Sequence, residues 1–84
     1  MLSRVVELVG KEMRLQDLDN TLMEFGFSSV FDADIETFLD CGAISWGTVN
    51  TELGCYNFYL TVITQHSGDE LGETIVKIDK VEEL

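Results

Sequence analysis

The sequence predicts an α+β domain: one or two N-terminal helices packed on an antiparallel sheet of about four strands, ending in a C-terminal β-hairpin. Three observations lead there. Leucines recur at helical spacing in the first third of the chain, apolar and polar residues alternate in the last third, and the apolar segments between are short and flanked by Gly or Ser. With 84 residues, no Pro, no low-complexity run and no internal repeat, residues 1–84 read as a single acidic domain.

The elements follow in order. Leu2, Val5, Val6, Val9 and Met13 recur at helical spacing behind Ser3, a residue suited to an N-cap. Gly10 limits this helix to about Val9, and the β-branched valines leave a strand open as the alternative. Leu15, Leu18, Leu22 and Phe25 then mark one face of a clearer helix, with Met23 beside them. Asp17 and Asp19 stand near its start, where carboxylates complement the macrodipole, and Gly26 is the expected C-terminal stop. Ser28–Phe31 and Ala43–Val49 read as short strands. Cys55–Gln65 is the strongest strand, with Tyr56, Phe58, Leu60 and Val62 on its apolar face, although Tyr59 and Ile63 blur the alternation. Ser67–Gly72 is a turn, and Glu73–Val81 returns with Val76 and Ile78 toward the core and Lys77 and Asp79 toward water. One face of the sheet is expected to be wet or partner-covered, with Trp46, Tyr59 and Ile63 as candidates for it.

Charge is the most informative feature. Sixteen acids against five bases give a net charge of −11, and the isoelectric point is about 4.1. A hydrophobic content of 45% and a mean hydropathy of +0.12 argue against disorder. The five bases are Arg4, Lys11, Arg14, Lys77 and Lys80, so no Lys or Arg stands between Leu15 and Val76. That span holds eleven acids: Asp17, Asp19, Glu24, Asp32, Asp34, Glu36, Asp40, Glu52, Asp69, Glu70 and Glu73. Such a balance disfavours direct binding to nucleic acid, which needs cations against phosphates, and docking on an anionic membrane. Ordinary solvated surfaces mix both signs. An unmixed stretch serves solubility, or it faces a basic partner whose encounter it speeds.

The densest acidic segment runs from Phe31 to Asp40. If extended, Asp32, Asp34 and Glu36 share a face with charges about 6.6 Å apart. If helical, Asp32, Glu36 and Asp40 align about 6 Å apart, with Ile35, Phe38 and Leu39 toward the core. Either geometry is a row of carboxylates spaced like successive phosphates of a nucleic-acid strand. A solvated turn-and-helix face is the plainer alternative. Glu52, Asp69 and Glu70 join the row if their turns converge on the same side. Trp46 is either a core anchor with its indole N–H bonded to backbone, or an exposed interface anchor beside the acids; with Tyr56 and Tyr59 it would suit an Arg-rich surface.

Other chemistry finds little support. Counting from Asp32, Thr37 and Ala43 occupy the positions where a calcium loop needs Gly and a bidentate Glu. His66 is the lone histidine, and nothing in the pattern brings Cys41 or Cys55 to it for nucleophilic catalysis. No phosphate-binding Gly pattern, HExxH, GxSxG or CxxC occurs. No cofactor, metal site or enzymatic activity is expected. The first residues meet Glu7 too early for a secretory signal, and the longest apolar stretch falls well short of the roughly 20 residues of a membrane span. The chain reads as cytoplasmic with reduced cysteines.

In size, charge and the Asp32–Asp40 row, the chain resembles small acidic phage-encoded inhibitors of bacterial defence, the anti-CRISPR and anti-restriction DNA mimics. The segment Leu15–Phe27 is similar to small prophage reading frames. The resemblance implies a basic nucleic-acid-binding partner such as a CRISPR effector nuclease, met in the host cytoplasm, and no direct contact with nucleic acid. Immunity proteins of nuclease toxins share the same size and charge. The alternative is an assembly module, such as a homodimer held by an apolar sheet face.

Overall fold

The structure, a computed structural model, describes residues 2–31, 35–47 and 55–83, with the side chains of residues 2, 3 and 36–38 outside that description. Strands β1 (Glu12–Arg14), β2 (Ala43–Gly47), β3 (Cys55–Thr64) and β4 (Ile75–Glu83) form one antiparallel sheet in the spatial order β1-β4-β3-β2. Helices α1 (Leu2–Val6), α2 (Leu15–Glu24) and α3 (Ile35–Cys41) contribute to a single core against it. The α+β class and the C-terminal β3–β4 pairing are as the sequence predicts.

Helix α2 owes its limits to its neighbours and to one glycine. Its first N–H, on Leu15, donates to the Thr74 carbonyl at 2.7 Å, so the helix start is tied to the entry of β4. At the other end, Gly26 adopts φ 102°, which costs a residue with a Cβ about 1–2 kcal/mol. The N–H of Phe27 then reaches the Leu22 carbonyl and that of Gly26 the Met23 carbonyl, the paired bonds of a Schellman motif. Leu15, Leu18 and Leu22 are fully buried, whereas Met23 is exposed.

The core side of the sheet is aromatic. Trp46 packs edge-on against Phe58 with centroids 5.1 Å apart, and Phe27 lies 6.1 Å from Phe58 and 5.5 Å from Tyr56. Val76 and Ile78 face this core from β4, as their alternation with Lys77 and Asp79 predicts. Two register shifts interrupt the β3–β4 ladder. Ile63 is the extra residue on one strand and Asp79 on the other, since Val62 pairs with Val76 and Thr64 with Ile75, while Tyr59 pairs with Lys80 and Leu60 with Ile78. Ile63 continues the outward set of Asn57, Tyr59 and Thr61 and is exposed, an apolar residue on the open face of the strand.

Three differences from the sequence reading have local causes. Ser28–Phe31 is not a strand: Phe27 makes an isolated bridge, Ser28 N–H donates to the Gly47 carbonyl, and the Val30 N–H is taken by the Asp19 carboxylate rather than by a ladder. The fourth strand is instead β1, too short to leave a period in the sequence. The turn after β3 is a 3-10 helix, Gly68–Glu73. Thr74, fully buried, closes it: its hydroxyl donates to the His66 carbonyl and accepts from the His66 N–H, both at 3.1 Å.

Candidate acidic interface

The charged residues segregate by element. Helices α2, α3 and the 3-10 helix carry acids and no base, β2 and β3 carry no charged residue, and all five bases lie on α1, in the turn after it, on β1 or on β4. The base-free central span of the sequence thus becomes most of the helical layer, and both chain ends meet at one edge of the sheet, where β1 pairs with β4.

Not every acid on that layer is free. Arg14 reaches across from β1 and holds both Asp17, at 3.0 Å, and Glu73, at 3.1 Å. The hydrogen bond to Asp17, then that to Glu73, and then their charges raise the guanidinium above its already high ordinary range, so it stays protonated wherever the fold exists. Asp19 is internal, only 3% exposed. Its carboxylate accepts from Ser29 Oγ at 2.8 Å and from the Val30 N–H at 3.0 Å, and so shapes the loop that leads into the acidic row. Glu24, Asp40, Asp69 and Glu70 remain exposed, Glu70 with His66 Nδ1 at 3.8 Å.

Of the row, Asp40 is exposed at the end of α3, whose buried side is Ile35 and Leu39. Glu36 stands four residues earlier on the same helix, with its side chain outside the description. The helical alternative for this part of the row is therefore the one observed. Asp32, Asp34 and Glu52 lie outside the described residues. Asp69 and Glu70 open the 3-10 helix. An open cleft of about 420 Å³ separates that helix from α2, lined by Gln16, Asp19, Asn20, Phe31, Gly68, Asp69, Leu71 and Gly72. Phe31, the residue before the row, and Asp69 therefore border one depression. Gly72 permits the close approach of the two elements, because a Cβ there would stand 3.1 Å from Gln16 Cβ.

Two interface candidates are corrected or qualified. Trp46 is fully buried and faces the core with Phe58, so it presents no surface to a partner; its indole N–H meets no acceptor among the described residues, unlike the backbone bond expected of it. Tyr59 is half-buried on the opposite, open face of the sheet, beneath Lys80 Nζ at 5.5 Å from its ring centroid. That open face is largely polar: Ser45 bonds Asn57, Thr61 bonds Asp79, and Lys80 pairs with Glu82. Among the described residues only Ile63 adds a large exposed apolar side chain there, so the face as described offers little to an apolar assembly.

Sequence reasoning missed three participants. Arg14 stands in the sequence reading only as a flanking base, Asp19 as a partner of the helix macrodipole and one of the central acids, and Phe31 as a strand residue and the start of the acidic segment. The spacing of Arg14 and Asp17 at i, i+3 signalled the first pair; nothing local signalled Asp19 reaching Ser29 and Val30. Among the described residues no three His, Cys, Asp or Glu side chains gather as a metal site, and no helix is long and apolar enough to cross a membrane. Cys41 and Cys55 are free and exposed. Compared with protein-family models, with curated proteins and with solved structures, the chain matches none.

Proposed function

We propose that this chain is a non-enzymatic, anti-CRISPR-like inhibitor that lays its acidic helical layer into the basic nucleic-acid channel of a bacterial defence nuclease and keeps DNA or RNA out. The observation that carries this reading is the segregation of charge by element: α2, α3 and the 3-10 helix bear acids alone, while the bases stand on α1, in the turn after it, on β1 and on β4. A surface evolved for solubility alone has no need of that separation, because mixed signs solvate as well and repel less. A channel lined by Lys and Arg would feel a predominantly negative field from the helical side and a more mixed one from the sheet side.

The test is competition. A guide-loaded CRISPR effector nuclease is mixed with labelled target DNA and increasing protein. Wild-type protein is expected to displace the DNA, less effectively as salt rises, because exposed charges are screened within about 8 Å at physiological ionic strength. Asp32→Lys with Glu36→Lys is expected to weaken displacement at least tenfold, whereas Lys77→Glu with Lys80→Glu on the sheet changes it less than threefold. Equal losses from both pairs would remove the reading, as would a salt-insensitive dimer in sedimentation.

A further inference from the structure

We infer that the cleft between α2 and the 3-10 helix is a receptor for an arginine side chain of the basic partner, an inference that rests on the function proposed above and gives it an anchor point. Its volume, about 420 Å³, falls within the range of about 300–1,000 Å³ of small-ligand sites, so it holds one side chain with room for water. The lining supplies what a guanidinium needs. Asp69 is an exposed carboxylate at the cleft, Gln16 and Asn20 bring amide oxygens, and Phe31 offers a ring that is 36% exposed.

Asp19 adds the decisive charge. It belongs to the lining yet is only 3% exposed, and both of its hydrogen-bond donors, Ser29 Oγ and the Val30 N–H, are neutral. No Lys, Arg or His among the described residues pairs with it. A carboxylate removed from water without a counter-charge raises the negative potential of the space beside it, because little solvent screens it. Arg14, the base that precedes α2, is already engaged by Asp17 and Glu73. The cleft is thus an anionic depression with an aromatic wall. Arginine suits it better than lysine, because a planar guanidinium stacks on a ring while its edge donates to carboxylate and amide oxygens.

The experiment titrates the isotopically labelled full chain with N-acetyl-arginine amide and, separately, N-acetyl-lysine amide, following backbone amide resonances. The arginine compound is expected to move Gln16, Asn20, Phe31 and Asp69 saturably and to bind about threefold tighter than the lysine compound. Phe31→Leu, which keeps apolar bulk, should abolish that preference, and Asp69→Asn should weaken both compounds about two- to fivefold. Equal responses to the two compounds, or shifts spread over every exposed acid, overturn the inference. An oligoarginine peptide that binds in a salt-dependent way without moving the cleft resonances overturns it too, while leaving the acidic-layer function standing. Displacement of target DNA that Asp32→Lys with Glu36→Lys leaves intact overturns that function even where the cleft binds arginine.

Discussion

Along the open face of the sheet, charges answer one another: Glu12 lies opposite Lys77, Lys80 reaches Glu82, and Asp79 takes the hydroxyl of Thr61. On the helical layer behind it, Glu24, Asp40, Asp69 and Glu70 stand exposed on elements that contain no base. The same short chain therefore builds one surface of mixed sign and one in which acids predominate, its bases being Arg14, held by Asp17 and Glu73, and Arg4, over the Phe25 ring. Had the acidity been a general solubility device, both faces would show it. The difference teaches that the excess is a property of place, produced by a topology that folds both base-bearing ends of the chain into neighbouring strands.

The comparison presupposes that the two layers are one cooperative unit, and the core is where to break it. Phe58→Ala removes a fully buried ring that touches both Trp46 and Phe27, at an expected cost of about 3–5 kcal/mol, a large part of the stability of a domain this small. Tryptophan fluorescence reports the sheet and far-ultraviolet circular dichroism the helices. Coincident urea transitions at a lower midpoint are expected; separated transitions would mean that the layers fold independently.

Two acids of one helix sharpen the contrast next. Asp19→Ala strands the Val30 N–H and the Ser29 hydroxyl and is expected to cost about 1–3 kcal/mol, whereas Glu24→Ala, at an exposed side chain, should stay within about 0.5 kcal/mol. Urea midpoints compare the two directly. Similar costs would mean that Asp19 is as dispensable to the fold as a surface acid.

How far the sequence could be read follows from the range of the forces involved. Helix α2 was legible because Leu15, Leu18 and Leu22 need only their own spacing to declare a face, and Gly26 its own φ to declare an end. The β3–β4 pairing was legible for the same reason in period two. Strand β1 was not, because three residues carry no period and its identity is set by the partners Ile75, Val76 and Lys77. At the candidate site, the base-free span was plain from composition, and exposure of Asp40, Asp69 and Glu70 followed from it. What composition could not reveal was that Asp19 turns inward and that Arg14 crosses to Glu73, 59 residues away, since both depend on tertiary neighbours. Trp46 failed as an interface residue because burial on β2 follows from its register opposite Tyr56, not from its neighbours in the chain.

The asymmetry of the two surfaces is open to direct measurement without any partner. Paramagnetic relaxation of backbone amide protons by a cationic nitroxide, compared with an anionic one of the same size, reads the local potential residue by residue. The account predicts a strong preference for the cationic probe at amides of α2, α3 and the 3-10 helix and a weak one at β1 and β4. A ratio uniform over both layers would contradict it.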